Sequence, residues 1–137
     1  MKGRKVRGIA RETLSFILEA CRDSLPEEFA GLLQAEKGVI TEVVILPGTE
    51  SSRMSAFVRL YMLPNMKIAG SVHSHPTGKI TPSQEDLAFF SRTGDYHIIA
   101  GLPFNEKSWA CYDASGDRRD LPVLDVEFKD DDLMEEL

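Results

Sequence analysis

The chain has 137 residues, 42% of them hydrophobic, with 22 Asp and Glu against 16 Lys and Arg for a formal net charge of -6. That length predicts one domain whose single core buries roughly two-thirds of the unfolded chain's surface, and the acidic balance argues against a nucleic-acid binder. No apolar run approaches the ~18 to 20 residues of a membrane span, and the basic start lacks the apolar region of a signal peptide, so a soluble, cytoplasmic protein with no membrane association is expected.

The charge is unevenly placed. Residues 125–137 hold seven acids against Lys129, which leaves fifteen charges of each sign in residues 1–124. The body is therefore neutral, and both the acidic tail and the basic start (Lys2, Arg4, Lys5, Arg7, Arg11) read as solvated ends. Cys21 and Cys111 form no CxxC pair and sit among apolar neighbours, as reduced core cysteines do.

In chain order, Ala10, Thr13, Leu14, Ile17, Leu18 and Cys21 have the three- and four-residue spacing of a helix with one buried face, closed by Pro26. Glu28–Gln34 reads as a buried strand, the turn Glu36-Lys37-Gly38 as a hairpin, and the β-branched run Val39–Leu46 as its partner. Residues 48–54 are polar and loop-like. Ser55–Leu60 alternates like an edge strand before the turn at Leu63-Pro64-Asn65. Lys67–His75 resumes a strand whose small residues Ala69, Gly70 and Ser71 let another element approach closely. Thr81, Pro82 and Gln84 predict a capped helix whose apolar face is Leu87, Phe89 and Phe90. Strands follow at Tyr96–Gly101, Ser108–Tyr112 and about Arg119–Phe128. The pattern is a single α/β domain.

Chemistry concentrates in His73-Ser74-His75-Pro76 and Ser83-Gln84-Glu85-Asp86. Residues two apart on a strand share a face, so both imidazoles reach one point; Ser83 and Asp86, three apart, share a helix face. Two imidazoles and a carboxylate suit Zn²⁺ with a fourth position open to water, the arrangement of catalytic rather than structural sites. Iron(II) accepts the same donors, so an oxygenase stays open. Ser83 and Asp86 taken alone are equally explained as a helix cap. His97, in an apolar strand, reads as a packed, hydrogen-bonded residue rather than a further ligand.

The run H-x-H-P followed by S-x-x-D, with ten residues between His75 and Asp86, resembles the JAMM (MPN+) metalloproteases. Pro26-Glu27-Glu28-Phe29-Ala30-Gly31-Leu32-Leu33 is similar to that family's P-x-E-x-x-G-L-L segment, and the resemblance selects Glu28 where the residues alone do not separate it from Glu27. The resemblance spans about residues 7–126. It implies an MPN-type α/β domain over residues 1–126, a curved mixed sheet flanked by helices with cytidine-deaminase-like architecture, and an acidic tail at 127–137.

It further implies one Zn²⁺ per chain held by His73, His75 and Asp86, with Glu28 as general base and Ser83 as hydroxyl donor to the developing oxyanion. The implied substrate is a peptide or isopeptide bond after the C-terminal Gly-Gly of a ubiquitin-like modifier. Phe57, Val58, Arg59, Leu60 and Tyr61 are the candidate edge on which an extended Gly-Gly tail would dock by strand addition. The alternatives are a non-catalytic MPN scaffold that binds ubiquitin-like proteins and a peptidase that trims a sulfur-carrier precursor.

Overall fold

Leu14, Ile17, Leu18 and Cys21 are buried along one side of helix α1, Arg11–Ser24, in the computed structural model, which describes residues 6–46, 59 and 68–126. α1 follows directly on a three-residue strand, β1, Gly8–Ala10. β2 (Ala30–Glu36) and β3 (Val39–Ile45) form the expected hairpin. β2 begins two residues later than the sequence suggested and runs to Glu36, because the turn consists only of Lys37 and Gly38, with φ of 53° and 82°. Two consecutive positive-φ residues give the tight turn whose twist matches that of the flanking strands.

β4 (Ile68–His75), helix α2 (Gln84–Phe90), β5 (Tyr96–Gly101), β6 (Trp109–Tyr112) and β7 (Val123–Leu124) complete the described elements. The strands form one curled mixed sheet in the order β6-β5-β4-β2-β3-β1-β7. β4 is antiparallel to β2 and parallel to β5. The strand expected over 119–128 reduces to Val123 and Leu124 within the described residues. Its only ladder partner there is β1, and β1 stops at Ala10 because α1 begins at Arg11.

Alternation along the strands sorts the core into two faces. Leu33, Val72, Ile98 and Cys111 pack with Leu14, Ile17 and Leu18 beneath α1. Their strand neighbours point the other way: Leu32 packs with Phe89, and Ile99 and Ala110 pack with Phe90. The centre of the sheet is thus covered on both sides, so Leu32, Leu33, Ile98 and Ile99 are all 0% exposed. Both cysteines are free and buried; burial pushes their thiols up, to about 12 for Cys21 and about 11 for Cys111.

The start of α2 differs from the expectation. The N-cap is Ser83 rather than Thr81, and the reciprocal partner is Asp86 rather than Gln84. Two overlapping frames compete, Thr81-x-x-Gln84 and Ser83-x-x-Asp86. The second wins because a charged carboxylate is a stronger acceptor for an orphan amide than the neutral side chain of Gln84. The buried face is then Asp86, Phe89 and Phe90, while Leu87 is 37% exposed and lies against the Gly116 turn instead of the core.

His97 is part of this core. Its ring stacks on Phe90 at 4.2 Å between centroids. Nε2 lies 2.8 Å from the Gly94 carbonyl, which accepts its proton, and Nδ1 lies 2.8 Å from Ser71 Oγ, whose hydroxyl donates to it. Both nitrogens of a neutral imidazole are satisfied, which bears out the packed reading.

Two outcomes follow from these contacts. A Cβ on Gly70 would stand 1.5 Å from the Tyr96 carbonyl oxygen, so Gly70→Ala should lower unfolding free energy by at least about 3 kcal/mol in urea titrations. Burial depresses His97 from 6.5 to about 4. The unfolded chain therefore gains a proton that the fold refuses; stability is full above pH ~6.5 and declines as pH falls toward 4, by about 3 kcal/mol from this residue. Urea midpoints of chelator-treated protein at pH 7.5 and 4.5 should show that loss, and His97→Gln should reduce it; equal pH dependence in the two proteins would contradict the assignment.

Candidate functional site

The same alternation that builds the core assembles the polar cluster. Val72 faces α1, so His73 and His75 face α2, and α2 presents Asp86 toward them. β2 runs antiparallel beside β4 with Ala30 opposite His73, which brings Glu28, just before β2, alongside the end of β4. Glu28 is exposed, and its charge is one of the influences that raise the pKa of His75. Glu27, also exposed, donates its amide to the Ser24 carbonyl at 2.8 Å in the turn after α1.

His75 Nε2 stands 3.0 Å from Asp86 Oδ2, and His75 Nδ1 stands 2.9 Å from the Lys79 carbonyl. The carbonyl only accepts, so Nδ1 carries a proton and Nε2 is the nitrogen turned to the carboxylate. Two bare lone pairs at that separation repel; a proton or a metal cation must lie between them. The hydrogen bond with Asp86 is the first cause that raises the pKa of His75. Burial pushes the Asp86 carboxyl up, but the bond to His75, the Ser83 amide and the charges of both histidines bring it down to about 2. Asp86 is consequently an anion throughout the neutral range.

His73 is half-buried, with its ring edge-on to Phe89 at 5.2 Å and 85°, and its charge lowers the pKa of Asp86. Among the described residues no three His, Cys, Asp or Glu side chains are gathered tightly enough to form a ready metal cage. The donor chemistry nevertheless fits zinc. His75 and Asp86 already meet head to head, a carbonyl orients His75 from behind in the manner common to metal-ligating imidazoles, and His73 supplies a second nitrogen on the same face.

Ser83 is the α2 cap. Its Oγ accepts the Asp86 amide at 3.1 Å, and Asp86 Oδ2 accepts the Ser83 amide at 2.9 Å. The capping account of these two residues is thus correct as far as it goes. Accepting the amide leaves the exposed hydroxyl its own proton to donate. Glu85 is exposed. Phe57, Val58, Leu60 and Tyr61 lie outside the described residues; Arg59, placed in a strand by its sequence neighbours, is helical and exposed, in keeping with arginine's strong helix propensity. Sequence reasoning missed the Lys79 carbonyl, since a main-chain acceptor leaves no side-chain signature, and it passed over Ser74, which occupies the position between two site-facing histidines.

Comparison with known proteins places this geometry in a group. The family model for prokaryotic homologs of the JAB domain matches residues 10–112. A probable metalloprotease of Haloferax volcanii is 42% identical over 140 positions, covering 94% of this chain and 86% of that protein. A JAB1/MPN domain protein from Archaeoglobus fulgidus has a similar structure, with a TM-score of 0.72 and 39% identity over 86% of this chain and 99% of the other. A structure described as JAMM, a metalloprotease-like zinc site in the proteasome and signalosome, gives 0.71 and 38% over 88% of this chain and 100% of the other.

Because Asp86 Oδ2 serves both His75 and the Ser83 amide, its loss should be felt without any metal. In chelator-treated protein, Asp86→Ala should lower unfolding free energy by about 1 to 2 kcal/mol. Asp86→Asn, which keeps an acceptor oxygen, should recover most of that; an alanine variant as stable as the parent would show that the capping box carries no stability.

Proposed function

Since the chain belongs to the prokaryotic JAB-domain family, whose JAMM branch is metalloprotease-like, we propose that it is a zinc-dependent peptidase or isopeptidase that cleaves after the C-terminal Gly-Gly of a ubiquitin-like modifier. The observation that carries this reading is the head-to-head pair His75 and Asp86, flanked by His73, by Glu28 and by the Ser83 hydroxyl. His73, His75 and Asp86 are the residues that would hold the metal. Zinc bound there supplies Lewis acidity, which polarises a carbonyl and lowers the pKa of a water to ~7.

The chain's own groups do the rest. The Glu28 carboxylate, exposed at the rim, takes a proton from the attacking water and returns it to the leaving amine. Ser83 Oγ donates its hydroxyl to the oxygen on which charge develops. The capping box holds that hydroxyl in place before substrate arrives, so no reorganisation is needed as charge appears. An extended Gly-Gly tail requires a narrow groove beside the cluster. Two buried free cysteines support a reducing, cytoplasmic setting. The sulfur-carrier peptidase needs the same site and differs only in taking a linear bond.

Metal analysis of protein purified without added metal should find about one zinc per chain. Absence of metal would favour the scaffold reading, and iron with oxygen consumption the oxygenase. With zinc-loaded protein and paired isopeptide-linked and linear Gly-Gly fusions, Glu28→Gln should abolish cleavage with zinc retained, and Glu27→Gln should leave it unchanged. Ser83→Ala should slow turnover by about 10² to 10³. Cleavage at the parental rate by Glu28→Gln would overturn the assignment of the base.

A further inference from the structure

Ser74 sits between the two site-facing histidines and so points to the opposite side of the sheet, where it is 0% exposed. Its amide donates to the Phe29 carbonyl at 2.9 Å, as in an ordinary antiparallel ladder. The return bond is different. The Phe29 amide donates to Ser74 Oγ, at 2.6 Å, instead of to a main-chain carbonyl. The ladder between β2 and β4 has ended at Ala30 opposite His73, and a side chain carries the pairing one residue further. Cys21 on α1 lies nearby, and the Ser74 hydroxyl is one of the influences that lower its pKa against the effect of burial. A hydroxyl oxygen has two lone pairs, and one of them takes the Phe29 amide.

The next residue outward from Phe29 is Glu28. Phe29 is itself buried in the core beneath α1, and both its main-chain polar groups are bound to Ser74. We infer that Ser74 is a positioning residue: by clamping Phe29 beyond the end of the ladder, it fixes how far the Glu28 carboxylate stands from His73, His75 and Asp86. This inference rests on the role proposed above for Glu28. An alanine at 74 would leave a buried amide without its acceptor. That amide recovers a partner by moving toward water, and the movement carries Glu28 away from the cluster.

Ser74→Ala deletes one oxygen and tests this in two ways. Amide hydrogen exchange on the metal-free proteins should show the Phe29 amide exchanging about tenfold faster in the variant, with the amides of Leu18 and Leu33 unchanged. In the zinc-loaded proteins, kcat on a Gly-Gly fusion should fall at least about tenfold, while KM stays within about twofold and zinc content is unaltered. A general loss of structure would raise exchange everywhere, and a lost docking surface would raise KM. Parental protection of Phe29, or an unchanged kcat, would overturn the inference. If the parent protein cleaves neither fusion, the functional reading falls and the exchange measurement still decides the clamp. Should the alanine variant not fold, Ser74→Cys, which keeps only a weak acceptor, undergoes the same two measurements with the same expectations.

Discussion

The contact between Gly70 and the backbone of Tyr96 governs most of what is functional in this molecule. A Cβ at position 70 would fall within bonding distance of the Tyr96 carbonyl oxygen, so β4 lies against β5 only in a register that puts glycine at that crossing. Pairing of β4 with β5 then sets His73 opposite Ile99 and His75 opposite Gly101, and pairing with β2 sets Ala30 opposite His73. A slip by one residue would exchange the faces of every β4 side chain. Both histidines would turn toward α1, and Ser74 would turn toward Asp86.

β4 consequently serves two helices with one alternating run. Its odd-numbered residues at the site end meet the carboxylate of α2, and its even-numbered ones enter the core under α1. The polar cluster is built on a strand and a helix start that are both buried on their far sides, which suits a site whose donors need to be held in place before anything binds. The exposed groups at the rim, Glu28 and Ser83, are each tied back through main-chain bonds to something buried, Glu28 through Phe29 and Ser83 through Asp86. Exposure for chemistry is combined with anchorage for geometry.

Much of this was legible in the residues. The helix at 11–24, the hairpin and the strands at 68–75 and 96–101 have strong periodicity or β-branched runs, and the H-x-H spacing announced its own face. What was hidden depended on competition or on the main chain. Thr81 and Ser83 offered two caps of similar quality, and the choice turned on whether Gln84 or the charged Asp86 returned the bond. The last strand was shortened by its partner β1, whose length is set by where α1 begins. The Phe29 bond to Ser74 and the Lys79 carbonyl leave no mark in composition. Glu28 and Glu27 were separable by resemblance, and in the fold the two occupy different settings: one stands beside β4, and the amide of the other closes the turn after α1.

The Asp86 carboxylate has two employers. The oxygen that meets His75 is also the oxygen that completes the first turn of α2, so a chain that abandoned hydrolysis would still be held to an acidic or amide side chain there by folding alone. Ser83 is bound in the same way, since removing its hydroxyl unseats the helix as well as the proposed oxyanion donor. The S-x-x-D half of the fingerprint is therefore a record of how the domain starts a helix, and a descendant that had lost its metal could carry it intact. The histidines have no such second occupation at a helix end, so their identity, read together with a glutamate at position 28, is what the proposed hydrolysis depends on and folding does not.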